Sequence, residues 1–221
     1  MGFPREEEQP MTGRHQRFAL LAGALLTASL AAPLLPAQAA EQLRLRGTVE
    51  AFEGKQLTIK TREGETAKVK LAEGWKISSV AKAEADAIKP GDFVGIASAP
   101  GTNGGNNALE VVIFPAAMKG TGEGSRPWDL QPGSTMTNAT VANAVKSVGS
   151  SGTGPTLTLE YKGGEKTISI PEGTPVVTFA PAIESDLKAG AVVFVPAEKA
   201  EDGTLTSSRV VVGTKGVVPP M

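Results

Sequence analysis

The chain has 221 residues, with 22 Lys and Arg against 23 Asp and Glu, and no cysteine. A net charge near zero lacks the basic footprint of a nucleic-acid binder or of a polybasic membrane-surface protein. Without cysteine no disulfide can staple the fold, and no lipid can be attached at a cysteine behind a leader, so each domain must bury enough apolar surface unaided.

The N-terminal part reads as an export signal. Arg14 and Arg17 precede an uncharged stretch over 18–35, which ends in Ala37-Gln38-Ala39, the small-x-small pattern cut by signal peptidase. Pro33 and Pro36 interrupt the apolar run, whereas a membrane span needs about 20 apolar residues. Cleavage after Ala39 or Ala40 is therefore expected, which makes 1–39 the signal peptide and leaves no membrane segment afterwards. No Arg-Arg pair is present, so the Sec route to the periplasm is expected rather than the twin-arginine route. Glu6, Glu7 and Glu8 are acidic where a leader is normally basic, which points to Met11 as an alternative start.

Beyond the leader the sequence repeats itself at an offset of 99 to 100 residues. Leu57-Thr58-Ile59 returns as Leu157-Thr158-Leu159, and Gly64-Glu65 as Gly164-Glu165. Ile88-Lys89-Pro90-Gly91 returns as Leu187-Lys188-Ala189-Gly190, and Val111-Val112 as Val210-Val211. Two copies are too few for a solenoid, so two separately cored domains are expected, over 43–115 and 140–213, with a linker over 116–139 and a tail over 214–221.

Within each copy the apolar period is that of strands. Leu43, Leu45, Val49 and Ala51 alternate with Arg44, Arg46, Thr48 and Glu50. Gly54 and the stretch 62–65 supply hairpin turns, as does Lys162-Gly163-Gly164 in the second copy. The Ala-rich stretch 80–88 predicts one short helix, stopped by Pro90-Gly91, and a shorter counterpart runs from Pro181 to Leu187. Two further strands close each copy, over 93–97 and 109–114, then 191–195 and 209–212. Three strands, a short helix and two strands is the element order of an OB-type barrel, with a simple sandwich half as the alternative. The expected fold is therefore mainly β: two tandem small OB-like β-barrels, each with one short helix. The strands at 191–195 and 210–212 are apolar on both faces, so both faces should be covered, by the linker or by the other barrel.

The unrepeated segment around Arg126, Trp128 and Asp129 is unlike a neutral spacer. Tryptophan offers a large apolar face with one donor, and the two neighbours put opposite charges beside it. These three residues are the candidate ligand or inter-domain contact. Trp128 as a wedge between domains is the favoured of the two roles.

No catalytic constellation is visible. The sole histidine, His15, lies in the leader, and a mature chain without His or Cys cannot build a Ser-His-Asp site, a Cys-His site or an ordinary zinc site. Met118, Met136 and Met221 are too scattered to suggest a Cu(I) site. Asn138-Ala139-Thr140 is a formal glycosylation sequon. The expected function is non-catalytic binding or scaffolding, without cofactor or resident metal, that engages an envelope protein, a glycan or a small ligand.

The order V-x-x-F, turn, L-T-I, G-E turn, L/I-K-x-G and paired valines resembles a family of exported bacterial domains of unknown function, often small β-barrels in tandem. Residues 118–141 (MKGTGEGSRPWDLQPGSTMTNATV) resemble the linker of its two-domain proteobacterial members. Some relatives carry the label "metal ABC transporter permease", from which a metal-binding or metal-uptake accessory role is the second functional expectation. The leader is the only stretch of this chain long and apolar enough to suggest a span, so a permease is not expected.

Overall fold

A computed structural model of the chain describes residues 41–102, 104–145 and 153–220. The expected signal peptide and its cleavage site, and Met221, lie outside the described residues. The fold is mainly β, as expected. Its strands are β1 (Glu41–Glu53), β2 (Gln56–Thr61), β3 (Thr66–Lys82), β4 (Phe93–Pro100), β5 (Asn106–Ile113) and β6 (Gly124–Pro127), followed by β7 (Thr135–Val145), β8 (Thr153–Tyr161), β9 (Gly164–Pro171), β10 (Val176–Ala180), β11 (Val192–Lys199) and β12 (Leu205–Gly213). The period-2 reading holds in detail. Leu57 and Ile59 of β2 and Val69 and Leu71 of β3 are buried, while Lys60, Lys68 and Lys70 between and beside them are exposed. Among the described residues no helix is long and apolar enough to cross a membrane.

The strands close into rings, but not the rings that the repeat boundaries suggest. β1, β2 and β3 close with β11 and β12: β1 runs antiparallel to β11, and β12 lies parallel to β3. In the same way β4 and β5 close with β7, β8 and β9, through antiparallel β4–β7 and parallel β5–β9 contacts. Each five-stranded ring thus takes three strands from one repeat and two from the other. The expected boundaries 43–115 and 140–213 therefore do not enclose the barrels.

The backbone hydrogen bonds make the exchange reciprocal. Val49 of the first repeat donates to Ala191 O at 2.8 Å and accepts from Gly190 N at 2.9 Å, both in the second repeat. Val141 of the second repeat donates to Asp92 O and accepts from Gly91 N, both at 2.8 Å, in the first. β10 then joins the rings, antiparallel to the end of β3 and parallel to β5. Val80 pairs with Phe179, which lies 99 positions further on, and the Ala81–Thr178 and Ser79–Ala180 pairs flank it. The same 99-residue shift carries the Val211–Ser78 pair onto Val112–Val177. This is the pattern that a two-fold axis through the Val80–Phe179 pair would produce.

Three apolar clusters follow from this topology. One ring encloses Val49, Leu57, Ile59, Val69 and Leu71 with Val193, Val195, Val210 and Val212. The other encloses Val94, Ile96 and Val111 with Val141, Leu157, Leu159, Ile168 and Ile170. Between the rings lies a third cluster of Val80, Phe93, Val112, Phe114, Val177, Phe194 and Val211. The two-sided apolar strands are now explained. Val193 and Val195 face into a ring, whereas Phe194 between them faces the inter-ring cluster.

The expected helix over 80–88 is not formed. Val80 and Lys82 belong to β3, and only Ala85–Ala87 makes a single 3-10 turn. Pairing with β10 and β12 occupies the backbone groups that a helix would need, and Ala83 N donates to Val176 O at 2.9 Å. Tertiary pairing has overridden alanine's helix propensity. Its counterpart is likewise a single 3-10 turn, Glu184–Asp186. The stretch 116–139 is also not a free linker, since it holds a 3-10 turn (Ala116–Met118), β6 and the start of β7.

Candidate functional site

The segment between the repeats docks across both rings. β6 pairs with β7, with Arg126 opposite Met136, which ties the segment to the ring containing β7. The loop that follows is locked by the buried Ser134. Its hydroxyl lies 2.7 Å from Gln131 O and 3.0 Å from Trp128 O, while Trp128 N donates to Ser134 O at 2.9 Å. This loop holds Trp128 and Asp129 against β1 of the other ring. Asp129 accepts from both terminal nitrogens of Arg46, at 3.1 and 2.8 Å, and Arg44 approaches it at 3.8 Å.

Trp128 is surrounded by cations. The guanidinium carbons of Arg44, Arg126 and Arg46 lie 4.1, 5.8 and 5.9 Å from its ring centroid. Such contacts draw on the negative face of the indole and are worth about 0.5–2 kcal/mol, most when desolvated. The indole Nε1 is buried and, among the described residues, has no hydrogen-bond acceptor. An unmet buried donor costs about 1–3 kcal/mol, so this one is a feature to be explained.

Trp128 and Arg126 line a cavity of about 460 Å³ between the rings. Its floor is the outer side of the inter-ring cluster, chiefly Phe114, Phe179, Phe194 and Val211. The Phe114 ring centroid lies 5.5 Å from that of Phe179, and the guanidinium of Arg46 sits 5.4 Å from that of Phe194. Gly95 of β4 borders the cavity because nothing larger fits there. A Cβ would come within 2.9 Å of both Asn138 Oδ1 and Phe114 Cε2.

The polar lining has one sign. Arg44, Lys76, Arg126 and Arg209 contribute to it, and no Asp or Glu does. Arg126 donates to Gly122 O at 2.8 Å, and among the described residues neither it nor Lys76 nor Arg209 has a carboxylate partner. Arg209 and Lys76 are directly paired across β12 and β3. Placing like charges side by side across a ladder is unfavourable. Desolvation by the cavity walls holds the Arg126 guanidinium below its usual pKa, and the nearby charges of Arg44 and Arg209 add to that. Desolvation acts on Arg209 in the same direction. Arg209 is nevertheless solvent-exposed, and it also borders a neighbouring concavity lined by Glu198.

Asp129 is the counterweight outside the cavity. Desolvation, the largest single influence, raises its pKa, but the Arg46 hydrogen bonds and the charges of Arg46 and Arg44 together outweigh it and hold the carboxyl below its usual range. Of the three residues singled out from sequence, two line the cavity and the third anchors them. Arg44 was missed because it reads as an ordinary outward position of an alternating strand, Arg209 because it reads as the polar start of the strand over 209–212, and Lys76 because the sequence assigns no element to its stretch. The one available signal was Arg209 standing directly before the Val210–Val212 run.

Two smaller expectations can be placed. Asn138 of the sequon is buried and donates to Thr121 O at 3.0 Å, so its amide is not presented for glycosylation in the folded chain. Met118 and Met136 both border the cavity. Among the described residues no group of three or more His, Cys, Asp or Glu could hold a metal ion. Comparison with protein families, with curated proteins and with solved structures finds no match to this chain.

Proposed function

We propose that the protein is an exported, non-catalytic binding protein, built by duplication of an OB-like unit, that takes a small ligand in the cavity between its two rings. The observation that carries this reading is the one-signed lining. Three cations without carboxylate partners among the described residues line the cavity together with an apolar floor. A protein selected for stability alone would pair or solvate such groups, and sites that violate local rules in this way are commonly functional. The leader-like 1–39 segment supports a periplasmic setting. A metal-uptake role is disfavoured, because the cations of the lining would repel a metal ion.

The test is native mass spectrometry of the chain recovered from a bacterial periplasm with its own leader. The expected result is a leader-free chain carrying a small molecule at one-to-one stoichiometry. Ser78→Trp places a large ring at the cavity lining and should abolish that adduct while the chain stays folded. Retention of the adduct in that variant would refute the cavity as the binding site.

A further inference from the structure

We infer that the ligand of this cavity is an amphiphilic anion, with an apolar body against the Phe114, Phe179 and Phe194 rings and a single carboxylate or phosphate head held by Arg126 and Arg209. The inference rests on the cavity being the ligand site and names the chemical class that fits it.

Each half of the description has its own support. The floor is formed by the inter-ring cluster, where the half-buried Phe179 and Met118 leave apolar surface at the cavity that an apolar body would cover. Of the lining cations Arg44 has Asp129 nearby, whereas among the described residues Lys76, Arg126 and Arg209 have no carboxylate partner, and Arg209 pairs with Lys76 across the ladder. An anionic head would relieve that repulsion and accept charge-assisted hydrogen bonds from a planar guanidinium, which matches carboxylate and phosphate oxygens. A purely apolar ligand would leave the cations unanswered, and a bare anion would leave the floor wet. At about 460 Å³ the cavity lies in the range of small-molecule sites, about 300–1,000 Å³, which is too small for a folded partner.

The experiment uses the mature full-length chain carrying Trp75→Phe, so that Trp128 is the sole tryptophan and can be excited apart from Tyr161. Trp75 packs edge-on against Phe52, with ring centroids 5.8 Å apart, and phenylalanine preserves an aromatic contact there. Decanoate, decyl phosphate, decyl maltoside and decyltrimethylammonium are titrated below their micellar concentrations, together with acetate and inorganic phosphate, and followed by fluorescence and calorimetry. Decanoate or decyl phosphate should bind one-to-one, and the stronger of the two identifies the head as carboxylate or phosphate. The neutral and cationic amphiphiles and the bare anions should bind at least about tenfold more weakly. Arg126→Gln combined with Arg209→Gln should lower affinity for the anionic amphiphile by about tenfold or more and leave decyl maltoside unchanged. Lys76→Gln, at an exposed position, gives a second charge variant if the double change unfolds the chain. Equal binding of decyl maltoside, abolished by Ser78→Trp, would overturn the anionic class while leaving the cavity as a site. Equal binding of acetate or phosphate would overturn the apolar body. If no amphiphile binds, or if binding is indifferent to Ser78→Trp, both this inference and the cavity reading fail.

Discussion

Arg44 and Trp128 stack with the guanidinium carbon 4.1 Å from the indole centroid, joining β1 of one ring to the segment that is hydrogen-bonded to the other. The contact makes Trp128 a structural tie as well as a cavity wall. Trp128→Ala should lower unfolding stability by about 2 kcal/mol, from lost burial and lost cation–π contact together. Arg44→Ala should cost less, about 0.5–1 kcal/mol. Denaturant titration of both variants checks the order.

The strand exchange predicts that the halves are inseparable without unfolding. A protease site inserted between Lys119 and Gly120, both exposed, should be cleaved without releasing either fragment. Size-exclusion chromatography should show both fragments in one peak at the uncut volume until denaturant is added. Beads-on-a-string domains would instead separate as two half-sized species.

The inter-ring cluster should carry a core-like share of stability. Phe194 is 3% exposed in that cluster, and Phe194→Ala should cost about 3–5 kcal/mol. Val145, 57% exposed at the end of β7, provides the contrast, and its change to Ala should stay within about 0.5 kcal/mol. Equal effects at the two positions would mean that the rings are not cemented through this cluster.

Acid should loosen the Trp128 segment. The folded-state pKa of Asp129 is depressed, so its contribution is complete above the ordinary carboxylate range and is lost as pH falls through the folded value. In a Trp75→Phe background the emission of Trp128 should change as pH drops below the ordinary carboxylate range, while the rings remain folded. Asp129→Asn should show the acid-like emission already at neutral pH. Because the carboxyl is 43% exposed, solvent screening keeps the effect small and reduces it further at high salt.

Lys76→Gln should separate stability from binding. It removes one of two like charges paired across β3 and β12, so stability should rise by about 0.5 kcal/mol. Binding of an anionic ligand should weaken at the same time, the trade expected where charge is kept for function. A fall in stability, measured by thermal unfolding, would mean that Lys76 has a structural role.

Much of the secondary structure was legible because it depends on local pattern. The alternation around Leu57, Ile59, Leu157 and Leu159 marks strands, and Gly54 at φ +61° sits in the hairpin turn where a left-handed residue is needed. The stretch 80–88 misled for the opposite reason. Its alanines favour a helix locally, but Val80 lies opposite Phe179 at the centre of the molecule, and long-range pairing decided its conformation. At the site, Arg126, Trp128 and Asp129 stood out because the segment is unrepeated and chemically unusual. Lys76 and Arg209 did not, since one lies between the elements assigned from sequence and the other is the polar start of a strand, and neither is unusual until two rings place it over a shared cavity.

By itself the sequence determined most of the strands, their repeat and their apolar faces, since these follow from residue order and side-chain period. Only the tertiary structure decided which repeat's β4-like and β5-like strands close which ring. Backbone ladders are blind to side-chain identity, and the matched strands of the two repeats carry nearly the same apolar pattern, so either closure satisfies the local rules. The choice lies in contacts between distant residues: Val49 with Ala191, Val141 with Asp92, and Phe194 and Val211 packed between the rings. That closure creates the cavity, which is why its charged lining could not be read from either repeat alone.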